Sequence, residues 1–387
     1  MFEPDSNAFL VSVWSARGSR ATVEVTAGGD EVAVIDVAID AAGQGVVDVT
    51  GLVADVAYDV TIALDTGARL GPHRVRTAPA DDATRPVRLA VSADWDPSNP
   101  EFDSDLVAHV VAAEPELYVS IGDFPYTDNG PIAQTVALYR ERHAALRADP
   151  RARALHEAMG VRAIYDDHEF RNNWDAHFAA IEPARYASAM QVWDEFFPLR
   201  DAAPGVRYRK WRWGANVECF LLDCRRFRSA DAAVDDAGKT MLGKPQLAWL
   251  LDGLARSTAT FKLVFTSIPL DYGVGDDHWA AFTTERQVIF DALLANQTPG
   301  VLFVSGDQHW FAAQQHAYGL REFQIGPVAR GFGVPPDPQP AGVLFRAVRF
   351  NVGLVDVDGD SLTFTGLGDD GTRFYSETVT AQQLTAK

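Results

Sequence analysis

Tyr165-Asp-Asp-His-Glu-Phe-Arg-Asn-Asn-Trp174 is the stretch on which the fold turns. The apolar run that leads into it, Val161-Arg-Ala-Ile-Tyr165, is long enough for a short buried strand. The residues beyond carry too many polar groups to bury without partners. A strand that runs into a polar turn is where α/β folds place their chemistry. Asp166, Asp167, His168, Asn172 and Asn173 offer oxygen or imidazole donors of the kind that hold hard or borderline cations. Helix capping also favours Asp and Asn, but a cap uses one such residue and leaves the others without a reason.

The same pattern recurs. Val87–Ser92 leads to Ala93-Asp-Trp-Asp96, Leu117–Ile121 to Gly122-Asp-Phe-Pro-Tyr-Thr-Asp128, and Val301–Ser305 to Gly306-Asp-Gln-His309. One Gly-Asp after a strand is ordinary turn chemistry. Its repetition predicts a sheet whose carboxyl ends bring these donors to one rim. Further strands are expected over 217–222 and 262–267, and helices over 101–113, 131–158 (broken near Asp149-Pro150), 182–196, 246–255 and 283–295. The tail, 350–364, reads as a hairpin turning at Asp358-Gly359. This interleaving predicts an α/β layered domain, two facing sheets with helices outside.

Residues 8–77 read differently. Short β-rich runs over 21–26, 32–37, 45–50, 58–63 and 71–77, separated by turns, predict a small antiparallel sandwich. Ala78–Pro86 reads as a linker. The expected domains are therefore 1–83 and 84–387.

Composition narrows the function. At 387 residues the chain has room for two such domains, and 47% hydrophobic with 22% charged residues is ordinary for a globular enzyme. A net charge of −19 argues against a nucleic-acid-binding surface and predicts little attraction to anionic membranes. A phosphorylated substrate would need local positive charge, which bound metal ions supply. Cys219 and Cys224 fall on opposite faces of a predicted strand and read as buried filler, not a disulfide. Met1-Phe-Glu-Pro-Asp5 lacks the features of a signal peptide and no run suggests a membrane span, which reads as cytoplasmic.

The order Gly-Asp-x-x-Tyr over 122–126, Asp-Asp-His-Glu-x-x-Asn-Asn over 166–173 and Gly-Asp-x-His over 306–309 resembles the alkaline phosphatase D (PhoD-like) branch of the calcineurin-like metallophosphoesterases. Tyr139-Arg-Glu-Arg-His143, Leu222-Asp-Cys-Arg-Arg-Phe-Arg228, Leu242-Gly-Lys-Pro-Gln-Leu-Ala-Trp249 and Thr266-Ser-Ile-Pro269 agree with it. The similarity spans about 87–365. It implies a four-layer α/β/β/α sandwich behind an immunoglobulin- or fibronectin-III-like β-sandwich. It also implies a phosphoric ester hydrolase with a two-metal site, in which one ion generates hydroxide and the pair neutralises charge on phosphorus.

Carried over residue by residue, the resemblance gives Asp123 as the bridging carboxylate and Tyr126 as a phenolate ligand to ferric iron. On this resemblance Asp167, Asp307 and His309 would complete the shells, and His168 would be the general acid or a phosphate-contacting histidine. Asn172 and Asn173 orient substrate or ligands, and Arg225 is a phosphate clamp, because a guanidinium matches two phosphate oxygens. The family usually places a cysteine ligand where this chain has Ala93, so Asp94 or Asp96 is expected to supply a hard oxygen instead. The implied cofactors are two ions, Fe(III) with Ca(II), or Mn, Mg or Zn, with hard ions favoured. Left open are hydrolysis of a phosphotriester, phosphonate or lactone on the same scaffold, and a catalytically degenerate, metal-poor binding protein. Of the remaining candidates, Asp276-Asp-His-Trp279 reads as a solvated loop within reach of the site. His143 and His156 read as surface residues, and Trp211 and Trp213 as one core-facing strand face.

Overall fold

The computed structural model describes residues 1–96, 104–200, 203 and 205–387. Its N-terminal part is built from β1 (Ala8–Trp14), β2 (Arg20–Ala27), β3 (Asp30–Ala38), β4 (Gln44–Thr50), β5 (Ala57–Leu64) and β6 (Arg69–Arg76). β1 pairs with β4, and a second antiparallel sheet runs β3-β2-β5-β6. Alternate residues, such as Phe9 and Val11, Val23 and Val25, and Tyr58 and Val60, turn inward to one shared core. Period-2 burial of this kind is what packs two sheets face to face.

The larger part follows with β7 (Val87–Ser92), α1 (Leu106–Ala112), β8 (Leu117–Ser120), α2 (Val136–Ala148), α3 (Pro150–Ala158) and β9 (Gly160–Ala163). Next come α4 (Phe178–Ile181), α5 (Pro183–Phe196), β10 (Arg209–Trp213), β11 (Val217–Leu221), α6 (Gly243–Arg256) and β12 (Phe261–Phe265). The chain ends with α7 (Thr283–Ala295), β13 (Val301–Ser305), β14 (Phe311–Gln315), β15 (Arg321–Gln324), β16 (Val343–Ala347), β17 (Asn351–Asp358), β18 (Ser361–Gly368) and β19 (Arg373–Thr380).

These strands form two sheets, ordered β19-β18-β17-β7-β8-β9 and β10-β11-β12-β13-β15-β14-β16. Alternation along single strands shows how they stack. Leu89 and Val91 of β7, Cys219 and Leu221 of β11, and Leu302 and Val304 of β13 share the core between the sheets. Ala90 and Tyr118 face instead a core with Leu106, Leu155 and Trp193 of the helices. Phe220 and Phe303 face another with Leu250, Leu254 and Phe290. The result is a four-layer α/β/β/α sandwich, in which near-continuous apolar runs are required because each central strand is covered on both faces.

The parallel strands β7-β8-β9 and β11-β12-β13-β15 carry their carboxyl ends to one rim. Asp149 breaks the helical stretch as expected, ending α2 and capping α3 through bonds to the Arg151 and Ala152 N–H groups. The helix expected over 101–113 is seen from Leu106, and 101–103 lie outside the described residues. β1, β14, β15, β16 and β19 were not anticipated. β14, Phe311-Ala-Ala-Gln-Gln315, has little strand propensity and is held by pairing with neighbours on both sides.

Trp211 and Trp213 lie in the inter-sheet core. Cys219 and Cys224 are buried in different cores. The surface reading of His143 and His156 is overturned. His143 is buried among Trp193, Phe196 and Phe197, and burial, reinforced by Arg147, pushes its pKa down to about 3. His156 is half-buried, stacks on Phe124 and meets Arg147. Their basic neighbours suggested solvent, but packing of α2 against α5 and α3 decides their burial.

Candidate metal centre

The polar turns after β7, β8, β9 and β13 meet on that rim. Asp94 (φ 60°), Asp123 (57°), Asp307 (73°), His309 (63°) and Asn173 (51°) sit in the left-handed region that side chains avoid. Each such residue costs on the order of 1 kcal/mol, and they gather where geometry is enforced for function. Two glycines make room. A Cβ on Gly326 (φ +93°) would lie 2.1 Å from Asp94 Oδ2, and one on Gly122 (φ +133°) 2.5 Å from the Asp166 Cβ.

Three groups of donors lie within ligating distance of one another: Asp94, Asp123 and His309; Asp123, Asp167 and His168; and Asp166, Asp167 and Asp307. Asp123 belongs to the first two and Asp167 to the last two, so the groups form one chain of donors linked through Asp123 and Asp167. The Tyr126 hydroxyl sits 3.0 Å from both Asp123 Oδ2 and His309 Nε2. His309 Nδ1 donates to the Gly331 carbonyl at 2.6 Å, which leaves the Nε2 lone pair directed into the site.

The carboxylates are only partly satisfied. Asp94 Oδ1 accepts from the Asp307 N–H at 3.1 Å and Asp167 Oδ2 from the Asn173 N–H at 2.6 Å. Asp94 Oδ2 and Asp167 Oδ1 are buried with no hydrogen-bond partner among the described residues. A buried, unpaired carboxylate oxygen costs several kcal/mol unless a proton or a cation meets it. Oxygen and imidazole donors with a phenol beside them fit hard or borderline metal ions, and the two orphaned oxygens are where such ions would coordinate.

Electrostatics agree. Burial, then the neighbouring carboxylates, raises the pKa of Asp94, Asp123 and Asp307 far above the usual range. Burial and the charges of Asp123 and Asp94 likewise raise that of Tyr126. Burial also opposes charge on Asp167, but His168 and Arg225 outweigh it and keep that carboxylate ionised. Burial disfavours a charged His168 too, yet Asp167 and the hydrogen bond to Asp128 raise its pKa to about 9. His309 goes the other way: burial depresses it to about 4 and leaves a neutral ring suited to ligation.

Not every expected donor is there. Asp96 is two residues from Asp94 yet outside all three groups. It accepts from Asn129 Nδ2 at 2.6 Å and lies 3.7 Å from Arg330 Nη1, so Asp94 is the one that faces the other donors. Arg225 is not placed as a phosphate clamp. Its side chain is 0% exposed, its Nε and Nη2 donate to the two Asp166 oxygens at 2.6 and 2.7 Å, and its Nη1 donates to Asp277 at 2.9 and 3.0 Å. Burial works against its charge, but Asp166 and Asp277 hold the guanidinium ionised. Asp277 also pairs with Arg228, so the supposed solvated loop is anchored behind the site. Asn172 and Asn173 expose their side chains and act through their N–H groups, on Asp128 (3.0 Å) and Asp167.

Sequence reasoning gave no role to Asp128, which stood inside a quoted turn, or to Asp166 as the partner of Arg225. It also missed Arg330, whose guanidinium carbon lies 4.5 Å from the centre of the Tyr126 ring. No motif surrounds Arg330, so only the fold could reveal it.

A family model described as PhoD-like phosphatase matches residues 104–337. Alkaline phosphatase D of Bacillus subtilis (strain 168) is 28% identical over 240 residues, which make up 53% of this chain and 41% of that protein. The matched region thus spans less than half of that relative's length. The solved structure of PhoD superposes with a TM-score of 0.87 at 18% identity, covering 100% of this chain and 90% of the other. Purple acid phosphatase PPD1 from yellow lupin (Lupinus luteus) seeds superposes with a TM-score of 0.71 at 10% identity, over 98% and 73% of the two chains. At these identities the superpositions speak to the fold alone, which is that of the metallophosphoesterases.

Proposed function

This chain belongs to the PhoD-like phosphatase family, and on that footing we propose that it hydrolyses phosphoric esters at a two-metal site. The observation that carries the reading is the pair of orphaned oxygens, Asp94 Oδ2 and Asp167 Oδ1, on residues that each share a donor group with Asp123. Asp94, Asp123, His309 and Tyr126 would hold one ion, and Asp123, Asp167 and Asp307 the other. Such ions lower the pKa of water and neutralise charge on a phosphoryl group. With oxygen and nitrogen ligands and no thiolate, hard ions such as Fe(III), Ca(II), Mn(II) or Mg(II) are favoured.

The chain's own groups do the rest. The His168 ring lies against Tyr126, 4.3 Å between ring centres, and its Nδ1 is held by Asp128 at 2.8 Å. That contact fixes the ring and, with the Asp167 charge, favours its protonated form, from which Nε2 can donate to a leaving oxygen. In the net reaction a water oxygen bonds to phosphorus and gives up a proton, the ester P–O bond breaks, and the departing oxygen takes a proton from His168, which the proton released by the water then restores. Asn173 secures Asp167 through its backbone, and Arg225 fixes Asp166 from behind.

The test joins elemental analysis to turnover. The wild-type protein is expected to bind close to two ions per chain and to release the phenol from an aryl phosphoester, with loss on chelation. Asp123→Asn is expected to lose at least one ion and 100-fold or more in rate, of the order removal of an electrostatic stabiliser gives. Unchanged metal content and turnover in that variant would refute the assignment. A wild type without metal or turnover would point to the binding-protein alternative.

A further inference from the structure

Resting on that reading, we propose that Arg330 is the residue that contacts the phosphoryl oxygens of substrate and of the phosphate product. The rim is crowded with carboxylates, and an incoming phosphoester adds further negative charge. A guanidinium is well matched to this task, since its planar fork meets two phosphate oxygens at once. Arg225, the guanidinium the sequence favours, is sealed from solvent by Asp166 and Asp277. The Arg330 side chain is 21% exposed.

Its placement is built. The guanidinium lies over the face of Tyr126, whose hydroxyl touches Asp123 and His309. Arg330 Nη2 donates to Asn129 Oδ1 at 3.0 Å, and Asn129 Nδ2 donates in turn to Asp96. Asn129 directly follows Asp128, the partner of His168. One short segment, residues 126–129, therefore carries a candidate ligand, the anchor of the proton donor and the anchor of Arg330. On the other side, a β-bridge between Trp95 and Ala329, with the Asp96 N–H bound to the Ala329 carbonyl at 3.0 Å, ties the backbone before Arg330 to the turn that holds Asp94. The guanidinium is thus fixed relative to both ends of the site. Preorganised charge of this kind loses little on binding.

The experiment uses the full chain loaded with metal, inorganic phosphate as the probe and an aryl phosphodiester as substrate. Arg330→Gln is expected to weaken phosphate binding about 10- to 100-fold, the range for loss of charge-assisted hydrogen bonds, with a similar loss in kcat/KM. Metal content and Tm should stay near wild type. Arg330→Lys, which keeps the charge but not the fork, should recover only part of the phosphate affinity. Phosphate affinity unchanged in Arg330→Gln, while wild type turns over, overturns this inference and leaves the hydrolase reading intact. Should Arg330→Gln lose metal or fold, Arg330→Lys decides. A lysine that restores fold and phosphate affinity in full would reduce Arg330 to a counterion of Asp96 and overturn the inference, and one that restores only the fold supports it. A wild type that neither turns over nor binds phosphate overturns the hydrolase reading itself.

Discussion

Replacing Arg225 by Met distinguishes a phosphate clamp from a strut, because the two roles predict opposite phenotypes. The structure places four charge-assisted hydrogen bonds on this one buried guanidinium, two to each of Asp166 and Asp277. In the variant Asp277 keeps Arg228, while Asp166 keeps only the Ser267 hydroxyl as a side-chain donor. One buried carboxylate is therefore left without a cation, which costs about 3–5 kcal/mol. An independent bound agrees. Asp166 can escape by taking up a proton, and at pH 7, about three units above an ordinary aspartate, this costs roughly 4 kcal/mol at 1.36 kcal/mol per unit.

The sign of the pH dependence follows. The folded variant holds a proton that the unfolded chain loses above about 4, and burial raises the Asp166 pKa in wild type too, so the variant's stability relative to wild type falls as pH rises above that raised value. By the same arithmetic the penalty at pH 5 is at most about 1.5 kcal/mol. Urea unfolding of metal-free wild type and Arg225→Met at both pH values measures this directly. At pH 7 the variant's Tm should fall on the order of 10 °C. A variant within about 1 kcal/mol of wild type at pH 7 would refute the strut argument. If its KM for a phosphoester rose at the same time, the clamp reading would be restored.

Two further expectations concern the metal-free site. Asp94, Asp123 and Asp307 have raised pKa values, and His168 is raised to about 9, so the folded state retains protons that the unfolded chain gives up. The aspartates' share of stability should then be lost as pH climbs from about 4, where unfolded aspartates ionise, and that of His168 from about 6.5 through 9, whereas His309, depressed to about 4, costs stability only below about 6.5. A thermal midpoint that falls over pH 6.5–9 without metal and stays level with it is the expected result, and a flat metal-free profile would contradict it. Gly326→Ala should displace Asp94, since the new Cβ would stand 2.1 Å from its Oδ2. Metal below two ions per chain and about 1–3 kcal/mol of lost stability are expected, while full loading would show that Asp94 is not a ligand.

The sequence carried much of this, and where it fell short the reason is physical. Apolar runs such as Val87–Ser92 and Val301–Ser305 announce their strands because a strand covered on both faces has no room for polar residues. β14 gave no such sign, since its Ala and Gln residues become a strand only through neighbours brought from elsewhere in the chain. Among the described residues no helix is long and apolar enough to cross a membrane.

At the site the division is sharper. The types and order of the donors, Asp123 and Tyr126, Asp167 and His168, Asp307 and His309, follow from local sequence, because each pair occupies one turn after one strand. Which of Asp94 and Asp96 faces the other donors, and whether Arg225 has hydrogen bonds to spare, depend on partners far away in the chain, Asp307 for the first and Asp166 and Asp277 for the second. Arg330 belongs to the same class. Local sequence sets what a turn can offer. What it offers it to is settled only when strand ends from two sheets are packed against each other, because hydrogen bonds and charge act through space over a few ångströms and not along the chain.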